Sequence, residues 1–384
     1  MAHSSASERG SSSSNDQRIV AGLATARYDA GRRIVFLDCV RGIAASIVVV
    51  GHFFELHSQH GIGPGASPGP YARWTLEYLN LGRVGVAAFF LVSGYIIPLS
   101  LERQSQRTFW VRRFFRLYPA YWIALPAYIA VAALSGWNLV TPQALVLNVL
   151  MVQGAIGAIS LLPPGWTLGI ELVFYAQAAA AAARRWLDRA VYLGWGWLAV
   201  FLALAVMGHL AGRDLHTTPP LLLYTAALGH ALHLRDARGW KAWRPLFAAG
   251  AVVVPVGAAL GQGMGPASQW EWQPFSYAVS WAAGVALFCA FYALRGRNFG
   301  RLLTWLGAIS YSVYLTHPTV FLLARQIWGQ HSIATLAAGF IGVLAVSWAL
   351  HATVERPAIR LGRALTPRAR EPVPLAEADV QAAP

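Results

Sequence analysis

The stretch FLDCVRGIAASIVVVGHFFE (Phe36–Glu55) decides the fold class of this chain. It is long enough to cross a bilayer, because a transmembrane helix needs about 20 predominantly apolar residues. It also carries four ionisable side chains: Asp38, Arg41, His52 and Glu55. An ionisable residue inside a membrane span is costly and therefore indicates a functional site. The stretch predicts a membrane helix that takes part in binding or chemistry.

The composition extends the membrane interpretation to the whole chain of 384 residues. Apolar residues make up 56% of the sequence and charged residues only 12%, whereas roughly 25% of the residues in an average soluble domain are charged. So few charges could not cover the surface of a soluble enzyme, and that class is excluded. The polar residues before position 34 contain no apolar stretch of the kind found in a signal peptide.

The sequence predicts an all-α integral membrane bundle of about ten transmembrane helices. We expect a disordered N-terminal segment 1–33, a membrane domain 34–356 and a disordered tail 357–384. The stretch 143–162 is interpreted as a loop with a short interfacial or re-entrant helix, with an eleventh span as the alternative. The ten predicted spans are 34–56, 83–101, 117–135, 166–183, 190–211, 219–234, 245–261, 275–294, 302–325 and 333–354.

The basic residues predict the orientation of this bundle. The net charge is +14, yet the arginines recur in small clusters between apolar stretches and form no groove for nucleic acid. With ten spans, 25 of the 30 Lys and Arg residues fall on the side that holds both termini. Because basic residues accumulate on the cytoplasmic side of membrane proteins, we expect both termini in the cytoplasm. The expected partners include membrane lipids and exclude nucleic acid.

Arg41 and His52 are expected on one face of the first helix. They are eleven positions apart, which corresponds to a rotation of only about 20° and to roughly 16 Å along the helix axis. Asp38 lies three residues before Arg41, a spacing that permits an ion pair. A packing helix with anchoring charges is the alternative, and it would serve for Asp38 alone.

His52 is expected near the outer surface of the membrane. Two later spans place polar side chains at a similar depth. Glu171 lies in PPGWTLGIELVFY, and its carboxylate could orient the His52 imidazole. The alternative is a carboxylate that a neighbouring helix satisfies. His317 lies in WLGAISYSVYLTHP beside Pro318, which should kink the helix. A histidine satisfied in the core is the open alternative there.

The segment RTFWVRRFFRLYPAYW (107–122) carries clustered arginines at the predicted cytoplasmic surface. Arg112 and Arg116 are about one helical turn apart, and guanidinium groups there suit a phosphate-bearing ligand. Anchoring by lipid head groups is the alternative. No metal is expected, because a His-x-x-His-x-x-Asp spacing at residues 230–236 lies among arginines.

Six segments, in this order, resemble the transmembrane acyltransferase-3 family. The resemblance runs from about Phe36 to Pro357, which is nearly the whole membrane region. Gly169 and Ile170, before the acid, depart from many members of the family and bear little on the chemistry. The six segments are LDCVRGIAASIVVVGH (37–52), FFLVSGYII (89–97), RRFFRLYPAYW (112–122), WTLGIELVFY (166–175), SYSVYLTHP (310–318) and ERP (355–357).

The resemblance implies transfer of an acyl group, usually acetyl, from a cytoplasmic acyl-CoA to a hydroxyl group. Acyl-CoA is then a co-substrate, and no bound cofactor is expected. Acceptors in the family are mostly exported carbohydrates, such as O-antigen, exopolysaccharide or lipid-linked glycans, while some members acylate macrolides. The expected location is the cytoplasmic (inner) membrane. A transporter or sugar flippase is the alternative from another class.

The resemblance also implies roles for individual residues. His52 would be the essential histidine, acting as general base or acyl carrier, with Arg41 as its partner. Glu171 matches the acid of the family motif and would orient the imidazole or hold the acceptor. Further residues are expected to bind the donor phosphates (Arg112, Arg113 and Arg116) or to contact the acceptor or support the site (Asp38, Ser93, Trp166, Tyr311 and His317).

Overall fold

The computed structural model describes residues 35–58, 70–137, 140–261, 273–329 and 333–366. These residues form helices and no β-strand, which confirms the predicted all-α class. The helices are α1 (Val35–Ser58), α2 (Pro70–Glu77), α3 (Leu81–Glu102), α4 (Gln106–Leu134), α5 (Pro142–Val149), α6 (Gly165–Ala183), α7 (Leu193–Ala211), α8 (Thr218–Arg238), α9 (Trp243–Gly261), α10 (Pro274–Ala293), α11 (Gly300–Trp328), α12 (Ile333–Leu350) and α13 (Arg356–Ala364).

Eight helical segments of the described chain are long and apolar enough to cross a membrane. They are α1, α3, α4, α7, α9, α10, α11 and the continuous run from α12 through α13. The chain is therefore a multi-pass membrane protein. The two remaining predicted spans, 166–183 and 219–234, coincide with α6 and α8, which do not reach that apolar composition. The count of ten spans and the side of the termini stay predictions.

The stretch 143–162 forms the short helix α5 followed by turns. Eight residues rise only about 12 Å as a helix, whereas the bilayer core is about 30 Å thick. Asn148 is fully buried and holds the turns in place. Its Nδ2 donates to the carbonyls of Ala144 and Ile159, and its Oδ1 accepts the N–H of Leu161. The short-helix interpretation is confirmed, and this stretch does not form an eleventh span.

The chain after Glu355 differs from the predicted disordered tail, because residues 356–364 form helix α13. α13 packs against α4, where an ideal Cβ on Gly362 would lie 2.8 Å from Cβ of Phe115. Nε of Arg112 also donates to Oγ1 of Thr366 over 2.9 Å. The predicted boundary at 357 is wrong because these tertiary contacts outweigh a Pro- and charge-rich composition. Segments 1–33 and 367–384 lie outside the described residues.

Helices α1 and α11 cross so closely that glycine is required at the crossing. An ideal Cβ on Gly307 would lie 2.1 Å from the carbonyl oxygen of Asp38, and one on Gly42 would lie 2.7 Å from the nitrogen of Gly307. Small residues allow such backbone approach between membrane helices. The crossing brings the Arg41–His52 face of α1 against the helix that carries His317.

Helix α3 is buried along most of its length, between α1, α8 and α10. Its approach to α8 also requires glycine, since an ideal Cβ on Gly94 would lie 1.9 Å from the carbonyl oxygen of Ala226. The neighbouring Ser93 therefore lies in the interior of the bundle, where it faces α6.

Candidate active site

A cavity of about 450 Å³ lies between α1, α3, α4, α6, α11 and α13. Its volume is within the range of about 300–1,000 Å³ found for small-molecule pockets. Phe89, Thr167 and Tyr314 line one end. The opposite end, called the arginine end below, is lined by Arg103, Arg112, Arg113, Arg116 and Arg363.

The cavity brings together eight of the eleven predicted site residues. They come from α1, α3, α4, α6 and α11, which are far apart in sequence. His52, Trp166 and His317 are not among its lining residues. The eight are Asp38, Arg41, Ser93, Arg112, Arg113, Arg116, Glu171 and Tyr311.

Glu171 faces the arginine end of this cavity. Its Oε1 accepts hydrogen bonds from Oγ of Ser93, over 2.5 Å, and from the hydroxyl of Tyr175, over 2.6 Å. Arg41 and Arg113 lie within electrostatic range of the carboxylate. Glu171 therefore has close partners of its own, and its charge acts on the arginines.

Two of the α4 arginines are held in place by neighbouring side chains. The guanidinium of Arg113 lies 5.4 Å from the ring centres of both Phe109 and Tyr175, and its Nη2 donates to Oγ of Ser100 over 3.3 Å. Nε of Arg112 donates to Oγ1 of Thr366, two residues after the end of α13. These contacts orient two guanidinium groups at the same end of the cavity, as a phosphate-binding site requires.

Glu355 stands behind the arginine end and was absent from the predicted site. It lies in a π-helical turn, His351–Glu355, a conformation that is frequent at functional sites. Its side chain is only 1% exposed, and Oε2 accepts from Oγ of Ser312 over 2.7 Å and from Nδ1 of His351 over 2.9 Å. Its charge acts on Arg116 and Arg41. The ERP segment was the signal in the sequence that pointed to it.

His52 takes its orientation from Glu55 and not from Glu171. Nδ1 of His52 lies 2.9 Å from Oε2 of Glu55, and Oε1 of Glu55 accepts from Nδ2 of Asn80 over 2.8 Å. The predicted Glu171–His52 arrangement is wrong because α1 continues for another turn beyond His52. That turn places Glu55 within reach of the imidazole, and the i,i+3 spacing was the available signal.

Asn80 is a further residue that sequence reasoning missed. It is 3% exposed, and its Oδ1 caps α3 by accepting the N–H of Arg83 over 2.7 Å. Its own backbone N–H donates to Oγ of Ser280 over 2.8 Å. An asparagine directly before an apolar helix is a recognisable N-cap signal. Its second task, the contact with Glu55, depends on how α1 and α3 pack.

His317 stacks on His52, with ring centres 5.5 Å apart and ring planes inclined by 14°. Nδ1 of His317 donates to the carbonyl oxygen of Val313 over 3.1 Å. The side chain is 1% exposed, and its Nε2 has no hydrogen-bond partner among the residues that the structure describes. The structure thus brings together two histidines that are 265 positions apart in the sequence.

Tyr314 connects the cavity with the histidine pair. It lines the cavity, and its hydroxyl shares a hydrogen bond of 2.8 Å with Oγ1 of Thr167. Its ring centre lies 6.1 Å from that of His317 and 5.6 Å from that of Phe89. Trp166 is partly buried and packs against the hydrophobic core beside this region.

The two parts of the site have different chemical capacities. The arginine end offers charged, planar donors that suit phosphate oxygens. At the other part, the Glu55 carboxylate accepts the Nδ1 proton of His52 and leaves Nε2 with a lone pair. An imidazole oriented in this way can act as a general base or as a nucleophile.

The likeness of this chain to known proteins identifies its family. The acyltransferase-3 family model, an acyltransferase domain, matches residues 34–352. The chain is 29% identical to the exopolysaccharide production protein ExoZ of Rhizobium meliloti, over 76% of this chain and 94% of that protein. It is 31% identical to the acyltransferase MdmB of Streptomyces mycarofaciens, over 26% of this chain and 28% of that protein. The chain therefore belongs to the acyltransferase-3 family of membrane-bound, acyl-transferring enzymes.

Proposed function

We propose that this protein is a membrane O-acetyltransferase that moves an acetyl group from cytoplasmic acetyl-CoA to a hydroxyl group of an exported carbohydrate. The observation that carries the proposal is the division of the site, with an arginine-lined cavity at one part and the Glu55–His52 pair at the other. The likeness to a protein named for exopolysaccharide production favours a carbohydrate acceptor.

The arginine end would bind the phosphate groups of coenzyme A. Arg113 is fixed by Phe109 and Tyr175, so little side-chain entropy is lost when it meets a phosphate. Glu171 and Glu355 balance the positive charge of the cavity while it is empty of anions. The pantetheine arm would then extend along the apolar lining toward Tyr314.

The transfer itself would take place at His52. In the general-base route, Nε2 takes the proton of the acceptor hydroxyl while the oxygen of that hydroxyl forms a bond to the acetyl carbon. The carbon–sulfur bond breaks, and the coenzyme A thiolate takes up a proton. In the alternative route, Nε2 first carries the acetyl group and then passes it to the hydroxyl. In both routes Glu55 stabilises the positive charge that develops on the ring.

The membrane orientation follows from the positive-inside pattern. With both termini in the cytoplasm, the arginine end faces the cytoplasm, where acetyl-CoA is made available, and His52 lies toward the opposite surface. In a bacterium, an enzyme with this orientation would lie in the inner membrane and would deliver the acetyl group to the exported glycan. The acceptor could also be a small molecule with a hydroxyl group, and the test below distinguishes the two.

The test supplies labelled acetyl-CoA to the cytoplasmic face of membranes that contain the glycan of the producing strain. We expect label in the glycan with the wild type, none with His52→Ala, and full label with His209→Ala. His209 is an exposed histidine near the end of α7 and serves as the matched control. Label only in small hydroxyl compounds would favour the second acceptor class. Equal label with wild type and His52→Ala would overturn the assignment.

A further inference from the structure

The stacked imidazoles of His52 and His317 present different partners to their Nδ1 atoms. Nδ1 of His317 faces the carbonyl oxygen of Val313, and a carbonyl can only accept. Nδ1 of His317 therefore carries the ring proton, and Nε2 carries a lone pair. Among the described residues, no carboxylate contacts this ring to stabilise a positive charge on it.

The lone pair on Nε2 of His317 is buried without a donor. The side chain is 1% exposed, and the described residues supply no hydrogen-bond partner for this atom. Buried polar atoms are nearly always paired in proteins, and an unpaired one needs an explanation such as a missing ligand. Because Nε2 can only accept, that ligand must bring an O–H or N–H group.

His52 offers a second acceptor next to the first. Its Nδ1 donates to Glu55, so its Nε2 also carries a lone pair. The space beside that atom is open because residue 82 is glycine, where an ideal Cβ would lie only 3.2 Å from it. The ring centres of the two histidines are 5.5 Å apart. The two nitrogens that can accept a hydrogen bond therefore belong to neighbouring, stacked rings.

The two histidines differ in what they can do with a proton. Glu55 stabilises a positive charge on His52, so His52 can take a proton from a hydroxyl group. The neutral carbonyl of Val313 gives His317 no comparable support. His317 is thus suited to bind a hydroxyl group without deprotonating it, while His52 activates another.

We propose that Nε2 of His317 binds a second hydroxyl group of the acceptor, beside the hydroxyl that reacts at His52. The acceptor is then a compound with neighbouring hydroxyl groups, as on a sugar ring, and an alcohol with a single hydroxyl group is disfavoured. This inference rests on the proposed acyl transfer and specifies which acceptors it selects. His317 is a specificity residue for the acceptor and has no role in binding the donor.

The kinetic test uses two small alcohols as competitors for acetyl transfer to the glycan. Glycerol has neighbouring hydroxyl groups, whereas 1-propanol has a single one. We expect the wild type to be inhibited at about tenfold lower concentration by glycerol than by 1-propanol, the ratio that one hydrogen bond of ordinary strength gives. His317→Ala should lose this preference and keep the wild-type KM for acetyl-CoA.

Two further variants separate recognition from structure. His317→Gln keeps an acceptor oxygen near the position of Nε2 and should retain part of the preference. Phe321→Leu changes the packing against the His317 ring, 6.0 Å away, but leaves its nitrogens in place and should retain the preference. Equal inhibition of the wild type by both alcohols, or loss of the preference in Phe321→Leu, would overturn the inference.

A spectroscopic test does not depend on acyl transfer. The full-length protein, labelled with ¹⁵N-histidine in lipid nanodiscs, should show a shift of the His317 Nε2 resonance with glycerol and a much smaller one with 1-propanol. This result without any acetyl transfer would reject the proposed function but support the hydroxyl site. A resonance that already indicates a hydrogen bond and does not respond to glycerol would show a resident water and overturn the site.

Discussion

The side-chain nitrogen of Asn80 donates to Oε1 of Glu55 over 2.8 Å, while the side-chain oxygen of Asn80 caps helix α3. One amide group thus fixes both the start of a buried helix and the carboxylate that orients His52. Positioning of the imidazole and folding of α3 share a residue, but the two can be separated by substitution.

Asn80→Asp should reduce acetyl transfer while it keeps the cap of helix α3. Aspartate caps helices about as well as asparagine, but its charge repels Glu55 and removes the donor to it. We expect a fall in kcat of about tenfold. Asn80→Ala should lower the stability by about 1 kcal/mol as well. Thermal unfolding in detergent measures that loss.

Ser105→Ala is the matched control for the loss of a cap, because Ser105 caps α4 away from the histidines. It should lower the stability to a similar extent and leave kcat unchanged. A wild-type kcat in Asn80→Asp would show that the contact with Glu55 has no role in the reaction.

Glu55→Gln should lower kcat by about tenfold to a hundredfold, because the neutral amide no longer stabilises the charge that develops on His52. The KM for acetyl-CoA should stay the same, since Glu55 does not line the cavity. Initial rates with varied donor and acceptor concentrations measure both constants. Glu77→Gln, an exposed residue of α2, serves as the control. A larger effect on the donor KM than on kcat would contradict the assignment.

Arg113→Ala should raise the KM for acetyl-CoA by about tenfold or more, through loss of a charged contact with a phosphate group. Arg107→Ala should have little effect, since Arg107 is exposed on the same helix and does not line the cavity. Acetyl-dephospho-CoA lacks one phosphate group, and comparing the two donors shows whether Arg113 meets that group. Equal KM values for wild type and Arg113→Ala with both donors would reject the phosphate-binding role.

Gly82→Ala should impair transfer even though alanine favours a helix over glycine by about 1 kcal/mol. Its Cβ would lie 3.2 Å from Nε2 of His52 and 3.1 Å from Oδ1 of Asn80. The methyl group would displace the His52 ring, and we expect kcat to fall by about tenfold to a hundredfold as a result. Gly196→Ala on α7 has open space around its Cβ and should keep full activity. An unchanged rate in Gly82→Ala would show that the reacting hydroxyl does not approach from this side.

The sequence predicted the helices of the fold wherever the length of an apolar stretch was enough to identify them. Apolar length identified a helix at each of the ten predicted positions, and buried Asn148 showed why 143–162 does not continue as one more span. The end of the membrane domain was misplaced because α13 is held by contacts with α4, which composition does not reveal. Tertiary contacts are the part that a single sequence conceals.

The candidate site was likewise predicted in part, and the rest depends on tertiary contacts. Arg41, Glu171 and Arg113 were predicted from charge inside or beside apolar spans, and the structure gathers them around one cavity. The partner of His52 was assigned wrongly because depth alone, without the rotation of each helix, does not decide which carboxylate reaches an imidazole. Glu55 lies within one helical turn of His52 in the sequence.

The separation between the cavity and the histidines bears on how the membrane stays tight. In the described part of the chain, the cavity ends at Phe89, Thr167 and Tyr314, and the imidazoles lie beyond these side chains. A wide passage through the protein would let protons run down their gradient and dissipate the energy stored across the membrane. In the proposed transfer, only the acyl end of the donor has to reach past these side chains, so the reaction needs no wide passage through the membrane.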